Sequence, residues 1–363
     1  MGAVVWLAKQ RVYAVPRYTE CKAILRDDKT FTSGQGVALN PIANRLSRGT
    51  TLNSDGIEHD QRRKLVAHRL LPRALRAITK SVETRAASVV ESAVRRGEID
   101  GVRDLACALP MAVVPDFVGW PHNQRHMLRG WAAATFDALG PFNGRAIRAA
   151  PASLGMLHYA HRAVRERSVI DDSMGHDLLL ASDIGKLSSD ECSALMIDYL
   201  APSLDTTISG IATALALFAT HPDQWRLLRG EPTLLPNAIN EILRYESPVR
   251  AFARKVAKCT AIGGVEIPTG ARVVLIYASA NRDEREWIDP DTFDISRDAN
   301  RQLGFGHGAH ACAGQGLARV EMQAILTALM QQVSRIELAG QPTWALNNVI
   351  RCYDRLPLAL VAA

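Results

Sequence analysis

The amino-acid sequence predicts a mainly α-helical protein with a small β region. Helical spacing of apolar residues dominates positions 58–184, one apolar run extends over about 188–220, and strand-like runs are short and few. Hydrophobic residues make up 47% of the 363 residues and charged residues 22%, which is typical of a soluble globular protein and excludes a disordered or fibrous one. Because no Pro/Gly/Ser-rich linker interrupts the chain, residues 1–363 are predicted to form a single domain.

The first half of the chain is predicted to contain a hairpin, a helix, a loop and a long helical region. The runs VVWL and VYAV resemble paired strands, and TECKAILRD has helical spacing. A loop follows from about Thr32 to Gly56, and the pattern from Glu58 to about Ile184 is mostly helical. Breaks are predicted near Pro72, Gly97–Gly101, Gly119–Pro121 and Gly140–Gly144.

A long central helix is predicted next. Ser188 and Glu191 have the spacing of a capping box, and the apolar run that follows ends at His221-Pro222. A helix of roughly 30 residues spans about 45 Å, so it would cross the whole domain as a buried rod. Because two acids and a proline interrupt the run, a membrane span is not expected.

The remainder of the chain alternates helices and strands. A helix is predicted at Leu234–Glu246, followed by strands at Ala251–Val256 and Arg272–Tyr277. A loop rich in Pro and Asp, Arg282–Gly308, leads to a final helix at about Ala313–Val333, and short strands end the chain.

Cysteine spacing and charge limit the class of protein. The six cysteines are tens of residues apart without a Cys-x-x-Cys pair, which argues against a disulfide framework or zinc ribbon and favours a reducing cytoplasm. The start, MGAVVWLAKQR, lacks the features of a signal peptide. The net charge of +6 suits an acidic partner. Nucleic acid is not expected, because basic and aromatic residues are not interleaved.

The densest chemical signal is FGHGAHACAG, from Phe305 to Gly314. Its glycines allow sharp turns and a close approach to a flat group, and Cys312 immediately precedes a helix. Backbone N–H groups at that helix start would favour the thiolate, which is what an axial ligand of heme iron requires. The alternative is a buried inert cysteine, which fits the other five. A chance match to the six fixed positions is on the order of one in a million.

This loop is the signature of the cytochrome P-450 family, which the chain resembles over essentially all 363 residues. Glu241-Ile242-Leu243-Arg244 resembles the family's Glu-x-x-Arg helix, and the segment at 289–297 resembles its meander. The similarity is greatest to soluble bacterial members that oxidise small aromatic acids. It implies the cytochrome P-450 fold, with a long central helix over heme b (iron protoporphyrin IX).

The resemblance assigns residues to this heme. Cys312 is implied as the axial ligand of the iron, held by a loop that includes Phe305, Gly306 and Gly314. The two propionates are implied to bind the following basic residues: His59, Arg63, Arg254 and His310. Without the resemblance, Arg63 would be one of several arginines on a solvated helix.

Glu241, Arg244 and Arg297 are implied to form a buried structural network that braces the cysteine loop. Glu241 and Arg244 lie one helical turn apart. From the residues alone, such a pair is far more often a solvated surface ion pair.

Oxygen chemistry also needs a proton path, and a buried acid beside a hydroxyl supplies one through water. Asp205 and Thr206, in the middle of the long helix, are implied as this catalytic pair. From the residues alone, a threonine here equally bonds back to the preceding turn, and Asp198 reads as a helix-end or surface acid.

The chain departs from the family pattern in two places. Pro202 and Ser203 occupy the usual Ala-Gly step, and a proline should kink the helix. Three consequences stay open: a fixed oxygen-admitting distortion, perturbed oxygen activation, or a constricted pocket. The N-terminal segment is also shorter than usual, which is consistent with a truncated chain, a late start site or a more open channel.

The substrate pocket is implied to involve 32–52, 200–205 and 249–252. Leu204, Val249 and Phe252 would make it apolar, and Arg45 and Arg48 would hold a carboxylate, unless they are solvated loop residues. The hypothesis is a small aromatic or alicyclic acid that is hydroxylated or O-dealkylated.

Electrons are expected from another protein, because no flavin or nicotinamide fingerprint is present. The implied function is a heme-thiolate monooxygenase that uses O2 and receives electrons from NAD(P)H through ferredoxin reductase and ferredoxin. An acidic ferredoxin would bind a basic region: Arg62, Arg63, Lys64, Arg69, Arg73 and Arg76. The alternatives are peroxygenase or ring-coupling chemistry and a non-catalytic heme protein that binds a ligand or senses a gas.

Overall fold

Helices form most of the structure, a computed structural model that describes residues 2–363. The helices are α1 (Tyr18–Arg26), α2 (Pro41–Leu46), α3 (Gly56–Ala67), α4 (Pro72–Arg96), α5 (Ala108–Val118), α6 (Leu128–Leu139), α7 (Gly144–Arg165), α8 (Met174–Asp183), α9 (Ser189–Thr220), α10 (Pro222–Gly230), α11 (Leu235–Tyr245), α12 (Tyr277–Ala280) and α13 (Gln315–Gln332). The strands are β1 (Val5–Leu7), β2 (Val12–Val15), β3 (Phe31–Thr32), β4 (Glu98–Asp100), β5 (Phe252–Val256), β6 (Thr260–Ile262), β7 (Val265–Ile267), β8 (Arg272–Leu275), β9 (Val333–Leu338), β10 (Thr343–Trp344), β11 (Tyr353–Arg355) and β12 (Pro357–Ala362). The mainly helical fold with small sheets confirms the predicted class.

The central helix α9 begins at the predicted capping box. The Ser188 hydroxyl accepts a hydrogen bond from the Glu191 backbone N–H at 3.2 Å, and the Glu191 carboxylate accepts one from the Ser188 backbone N–H at 3.0 Å. By length and composition α9 is apolar enough to cross a membrane, but 83% of its most apolar stretch is buried inside the protein. It is therefore a core helix of this fold.

Two hydrophobic clusters divide α9. From Cys192 to Leu204 the helix packs in a cluster with α5, α6, α7 and α8. From Ile208 to Phe218 it packs in a second cluster, mainly with α10, α11, α13 and β9. The polar segment Asp205–Thr207 lies where the two clusters meet, so the middle of the helix is placed for a site rather than for core packing.

The sheets are small and position individual residues. The largest has the strand order β1-β2-β8-β5-β3, in which β2 and β8 are parallel and the other pairs antiparallel. The others are a three-stranded sheet, β4-β12-β9, and the two-stranded pairs β6-β7 and β10-β11. Pairing with β8 holds strand β5 at the wall of the cavity that lies against α9.

Several elements differ from the sequence-based prediction, among them the short elements α2, β4 and α12. The loop predicted at 32–56 contains α2, where the Asn40 side chain caps Ile42 N–H at 2.9 Å and Pro41 opens the helix. Strand β4 interrupts the predicted helical region, and α12 directly follows β8. Elements of three to six residues have too few apolar positions for a helical or strand periodicity to be recognised in the sequence.

Helix α9 continues through Pro202 as helix from Ser189 to Thr220. Proline has no N–H for the carbonyl four residues earlier, so one backbone bond of the ladder is missing at this position. One turn later, the Thr206 hydroxyl donates to the Pro202 carbonyl oxygen at 2.7 Å. This side-chain bond is the back-bonding that the residues alone allowed.

Candidate active site

A cavity of about 260 Å³ lies against the middle of α9. Its walls come from α9, the loop at 50–53, α6, the start of β5 and the segment 304–314. Its apolar lining includes Phe136, Leu139, Val249 and Phe252. The cavity therefore connects the cysteine loop with the polar middle of α9, as a substrate and cofactor site requires.

The cysteine loop is held in one shape by its backbone. Gly306 and Gly308 have φ values of 68° and 73°, which favour glycine, and a Cβ at Gly308 would lie 2.1 Å from the Leu25 carbonyl oxygen. The Cys312 N–H donates to the Phe305 carbonyl oxygen at 2.8 Å. These constraints direct the Cys312 side chain toward the cavity, just before α13 begins.

The thiol of Cys312 does not ionise readily in the protein alone. Burial raises its pKa above the usual value, although the backbone N–H groups of Gly314 and Gln315 and the Arg63 guanidinium act in the opposite direction. The N–H groups at the helix start favour the thiolate, as predicted, but in the protein alone desolvation outweighs them. A metal cation bound to the sulfur would reverse this balance.

Four basic side chains line the same cavity: His59, Arg63, Arg254 and His310. The rings of His59 and His310 are 4.3 Å apart, and each has a buried Nε2 without a hydrogen-bond partner in the described part of the protein. Burial lowers the pKa of His59, and the positive charges of His310 and Arg63 lower it further. The region is therefore suited to bind anionic groups.

Two of these basic residues also contact the cysteine loop and its surroundings. Arg63 donates to the carbonyl oxygens of Ala309 and Ala311 at 3.1 and 2.8 Å. His310 Nε2 lies 3.6 Å from Asp55 Oδ1, and Asp55 accepts the backbone N–H groups at 33 and 34. The basic region and the cysteine loop therefore form one connected unit.

The residues present fit a heme. The cavity-facing thiol matches the iron. The two imidazole rings and the two arginines match the propionates, and the apolar walls match the porphyrin face. When bound, heme supplies the redox chemistry that activates dioxygen. Of the implied cofactor residues, Phe305, Gly306 and Gly314 also line the cavity.

The structure joins Glu241, Arg244 and Arg297. Arg244 Nε and Nη2 donate to the two Glu241 carboxylate oxygens at 2.6 and 2.8 Å, and both side chains are fully buried. Arg297 Nε reaches Glu241 Oε1 at 3.4 Å. Arg244 also donates to backbone carbonyls, including that of Asn281 at 2.9 Å.

Asn281 connects this network to the cysteine loop. Its side-chain oxygen accepts the Leu303 N–H at 2.7 Å, two residues before Phe305. A Cβ at Gly304 would lie 3.2 Å from the Leu243 carbonyl oxygen, so the loop rests directly on α11. The network is therefore placed to set the position of the loop.

Asp205 and Thr206 face different surroundings. Thr206 lines the cavity, whereas Asp205 is a buried residue of α9 that is not part of the cavity wall. Burial raises the pKa of Asp205 to about 7; Arg129 lowers it and Asp137 raises it. Asp205 therefore exchanges a proton near neutral pH, one residue away from a cavity hydroxyl.

Replacing Asp205 with asparagine is expected to change how stability depends on pH. The folded-state pKa of about 7 exceeds the unfolded value of about 3.9. The stability that this group contributes is therefore complete below about pH 4 and is lost as the pH rises to about 7. Relative to wild type, Asp205→Asn should gain about 2 kcal/mol in the free energy of unfolding between about pH 5 and pH 7.5.

Denaturant unfolding at the two pH values measures this difference. Asp190→Asn, which removes an exposed carboxylate from the same helix, is the control and should show no such gain. An equal difference between Asp205→Asn and wild type at both pH values would show that the Asp205 pKa is not raised.

Two acids of the cavity wall were missed or misplaced by sequence reasoning. Asp198 was read as a helix-end or surface acid, but it lines the cavity, and burial raises its pKa to about 6. Glu321, on α13, is fully buried with both oxygens unpartnered, and burial raises its pKa well above the usual value. The sequence does contain a signal for Asp198: it precedes Pro202 by four residues and Thr206 by eight, which places all three on one face of the helix.

The predicted substrate residues are only partly brought together. Val249 and Phe252 line the cavity. Leu204 does not: it is fully buried among α5–α8, because the helix turns it away from the cavity. Arg45 and Arg48 are also not on the wall, since α2 and the turn after it leave both exposed to solvent.

Comparison with known proteins identifies the chain. The fold and the cavity are suited to a heme-binding protein. The Cytochrome P450 family model matches residues 156–342. Cytochrome p450 CYP199A2 of Rhodopseudomonas palustris is 35% identical over 100% of this chain and 89% of that protein. The chain belongs to the cytochrome P450 family.

Further relatives agree with this assignment. A Steroid C26-monooxygenase of Rhodococcus jostii is 30% identical over 91% of this chain and 71% of that protein. A crystal structure of P450BioI in complex with an acyl carrier protein is 25% identical, with a TM-score of 0.90 over 99% of this chain and 95% of that chain. The protein is thus a P450 monooxygenase that uses heme b, O2 and reduced nicotinamide through redox partners.

Proposed function

We propose that the protein transfers one oxygen atom from O2 into a small aromatic or alicyclic substrate, by hydroxylation or O-dealkylation. The observation that carries this proposal is that Cys312, Thr206 and the apolar residues Val249 and Phe252 face one cavity. In the balanced reaction, a substrate C–H bond, O2, two electrons and two protons give a C–OH bond and water. The chain itself must therefore hold the cofactor, seat the substrate and supply protons.

Holding the cofactor is assigned to the cysteine loop and the basic region. Cys312 binds the heme iron, and His59, Arg63, Arg254 and His310 bind the propionates. The unpartnered Nε2 of His59 among the described residues and its depressed pKa support this assignment, because an anion would compensate both.

Proton supply is assigned to Thr206 and Asp205. Thr206 lies at the cavity wall, and its hydroxyl donates to the Pro202 carbonyl oxygen at 2.7 Å, which leaves the oxygen lone pairs for water. Asp205, whose pKa burial raises to about 7, can take up and release a proton at the pH of the cytoplasm. Water connecting the two groups would complete the path.

The Thr206→Ala variant is expected to separate electron consumption from product formation. Without the hydroxyl, two electrons and two protons reduce O2 to hydrogen peroxide instead of supporting oxygen transfer. Product per electron consumed should fall about ten- to hundredfold, while nicotinamide consumption changes much less. Parallel assays of nicotinamide, product and peroxide measure this ratio. Thr213→Ala, at a buried position of α9 away from the cavity, should retain wild-type coupling.

The electron donor is proposed to be an acidic ferredoxin that binds near α3 and α4. The basic surface there is smaller than predicted, because Arg62 is buried against Glu58 and Glu191, and Arg69 pairs with Asp177. Three basic residues of this surface are exposed: Lys64, Arg73 and Arg76. These charges favour a negatively charged partner. A cytoplasmic location is also proposed, and the six free cysteines are consistent with it.

Reconstituted turnover tests the proposed function. Heme-loaded protein, a ferredoxin, its reductase and reduced nicotinamide should hydroxylate a ring compound to an alcohol or phenol that contains one labelled oxygen from isotopically labelled O2. An aromatic ether should instead give an unlabelled phenol and an aldehyde formed from the alkyl carbon. Product with hydrogen peroxide but not with reduced ferredoxin would favour a peroxygenase. Reversible O2 binding without product under either donor would favour a non-catalytic heme protein.

A further inference from the structure

Asp198 places an acid on the substrate side of the cavity. Its Oδ2 accepts the Thr51 N–H at 2.8 Å, which ties the loop at 50–53 to α9. The side chain nevertheless contributes to the cavity wall together with Thr51 and Tyr199. A carboxylate has about four acceptor positions, so the backbone contact leaves acceptor capacity for a ligand.

Asp198 lies about two helical turns from Thr206 along α9. Asp198, Pro202 and Thr206 repeat every four residues along one side of α9, and all three line the cavity. Eight residues of helix correspond to about 12 Å. A substrate whose reacting carbon lies near Thr206 therefore places its far end near Asp198.

The charges around the cavity make Asp198 distinctive. The four basic side chains belong to the cysteine-loop end, where they are proposed to bind propionates. Arg45 and Arg48, the expected carboxylate ligands, are exposed outside the cavity. The other acid of the wall, Glu321, is on α13, and burial raises its pKa well above the usual value. Asp198 is thus the carboxyl group of the wall on α9, on the same face as Thr206.

We infer that Asp198 is a specificity-determining residue that selects small ring substrates carrying a protonated amine, and that it disfavours carboxylic acids. This inference rests on the proposed function and replaces the acid substrate predicted from the sequence. A protonated nitrogen would donate a charge-assisted hydrogen bond to the Asp198 carboxylate. A carboxylate at the same place would face a like charge in a desolvated site.

The burial of Asp198 supports this assignment. Burial raises its pKa to about 6, although hydrogen bonds from the Thr51 backbone N–H, the Thr51 hydroxyl and the Leu52 backbone N–H and, more weakly, Arg62 oppose the shift. The ionised form is therefore incompletely compensated by the protein. A cationic ligand in the cavity would provide the missing compensation.

Binding of three matched compounds tests the inference. N,N-dimethyl(para-methoxybenzyl)amine, para-methoxy-isobutylbenzene and para-methoxyphenylacetate share one ring and differ in the charge of the far end. Equilibrium dialysis against the heme-loaded protein at about pH 7.5 gives each dissociation constant, whether or not the compound changes the spin state of the iron. The wild type should bind the amine about tenfold more tightly than the neutral compound, and the carboxylate about tenfold more weakly.

Variants assign this preference to Asp198. Asp198→Asn should bind the amine and the neutral compound within about twofold of each other, with the neutral affinity unchanged. Asp190→Asn removes an exposed acid from the same helix and should keep the wild-type ratios. Tightest binding of the carboxylate, an amine preference retained in Asp198→Asn, or binding of none of the three would overturn the inference.

The wild-type ranking is informative even if Asp198→Asn fails to fold. The proposed function has its own readouts, thiolate ligation and incorporation of oxygen from O2. A protein that shows both but prefers the carboxylate would contradict only the assignment of Asp198. A protein that shows neither would contradict the proposed function itself.

Discussion

Replacing Cys312 with alanine is expected to abolish monooxygenase activity. Cys312 is the thiol that faces the cavity beside the basic side chains, and thiolate donation is what favours O–O bond cleavage in this class of heme protein. Product formation with reduced ferredoxin should fall at least about a hundredfold, which corresponds to about 2.8 kcal/mol in the barrier. Initial rates at equal heme content measure the loss.

The matched control is Cys259→Ala. Cys259 is free and exposed, far in sequence from the cavity loop, and its replacement should leave the rate within about twofold of wild type. A Cys312→Ala protein that binds heme and retains more than a tenth of the wild-type rate would contradict the assignment of the axial ligand.

Replacing Arg244 with alanine should destabilise the protein severely. The change leaves the Glu241 carboxylate buried without its bidentate partner and removes donors from the carbonyl groups of the meander. Breaking such a buried pair costs about 3–5 kcal/mol. We expect loss of soluble, heme-loaded protein or a melting temperature lower by several degrees.

An exposed pair with the same sequence spacing provides the comparison. Asp223 and Arg226 also lie three residues apart on a helix, but both are mostly solvent-exposed. Arg226→Ala should change the free energy of unfolding by less than about 1 kcal/mol. If Arg244→Ala were equally mild, the Glu241–Arg244–Arg297 network would not brace the cysteine loop.

The long and strongly marked elements of the fold were predictable from the sequence. Helix α9 was predicted from the capping box at Ser188 and the apolar run that follows, and the hairpin β1–β2 from two short strand-like runs. Helix α2 was missed because its six residues cannot show a helical period, and its Asn40 cap lies in a segment rich in turn-forming residues.

The site was predictable where one short motif contains the chemistry. The glycines around Cys312 predicted sharp turns and a close approach to a flat group; the loop does turn sharply at Gly306 and Gly308, and it lines the cavity. Pocket residues were predicted less well, because 200–205 was treated as a continuous segment. A helix exposes a stripe, so Pro202, Ser203 and Thr206 face the cavity while Leu204 packs in the core.

Charge placement was the least predictable part of the site. Arg45 and Arg48 lie in a segment near the cavity, but a local sequence does not tell which side chains of a loop turn toward solvent. Asp198 resembled a surface acid because nothing near it in sequence reveals that Thr51 packs against it. Contacts between residues distant in sequence decide both outcomes, and with them the expected charge of the substrate.

The carbon monoxide complex of the reduced, heme-loaded protein is the most informative measurement. If Cys312 ligates the iron as thiolate, the complex will show the strongly red-shifted Soret band that is characteristic of sulfur ligation. A Soret band at the shorter wavelength typical of imidazole ligation, in freshly prepared and folded protein, would contradict the assignment of Cys312 and the proposed function that depends on it.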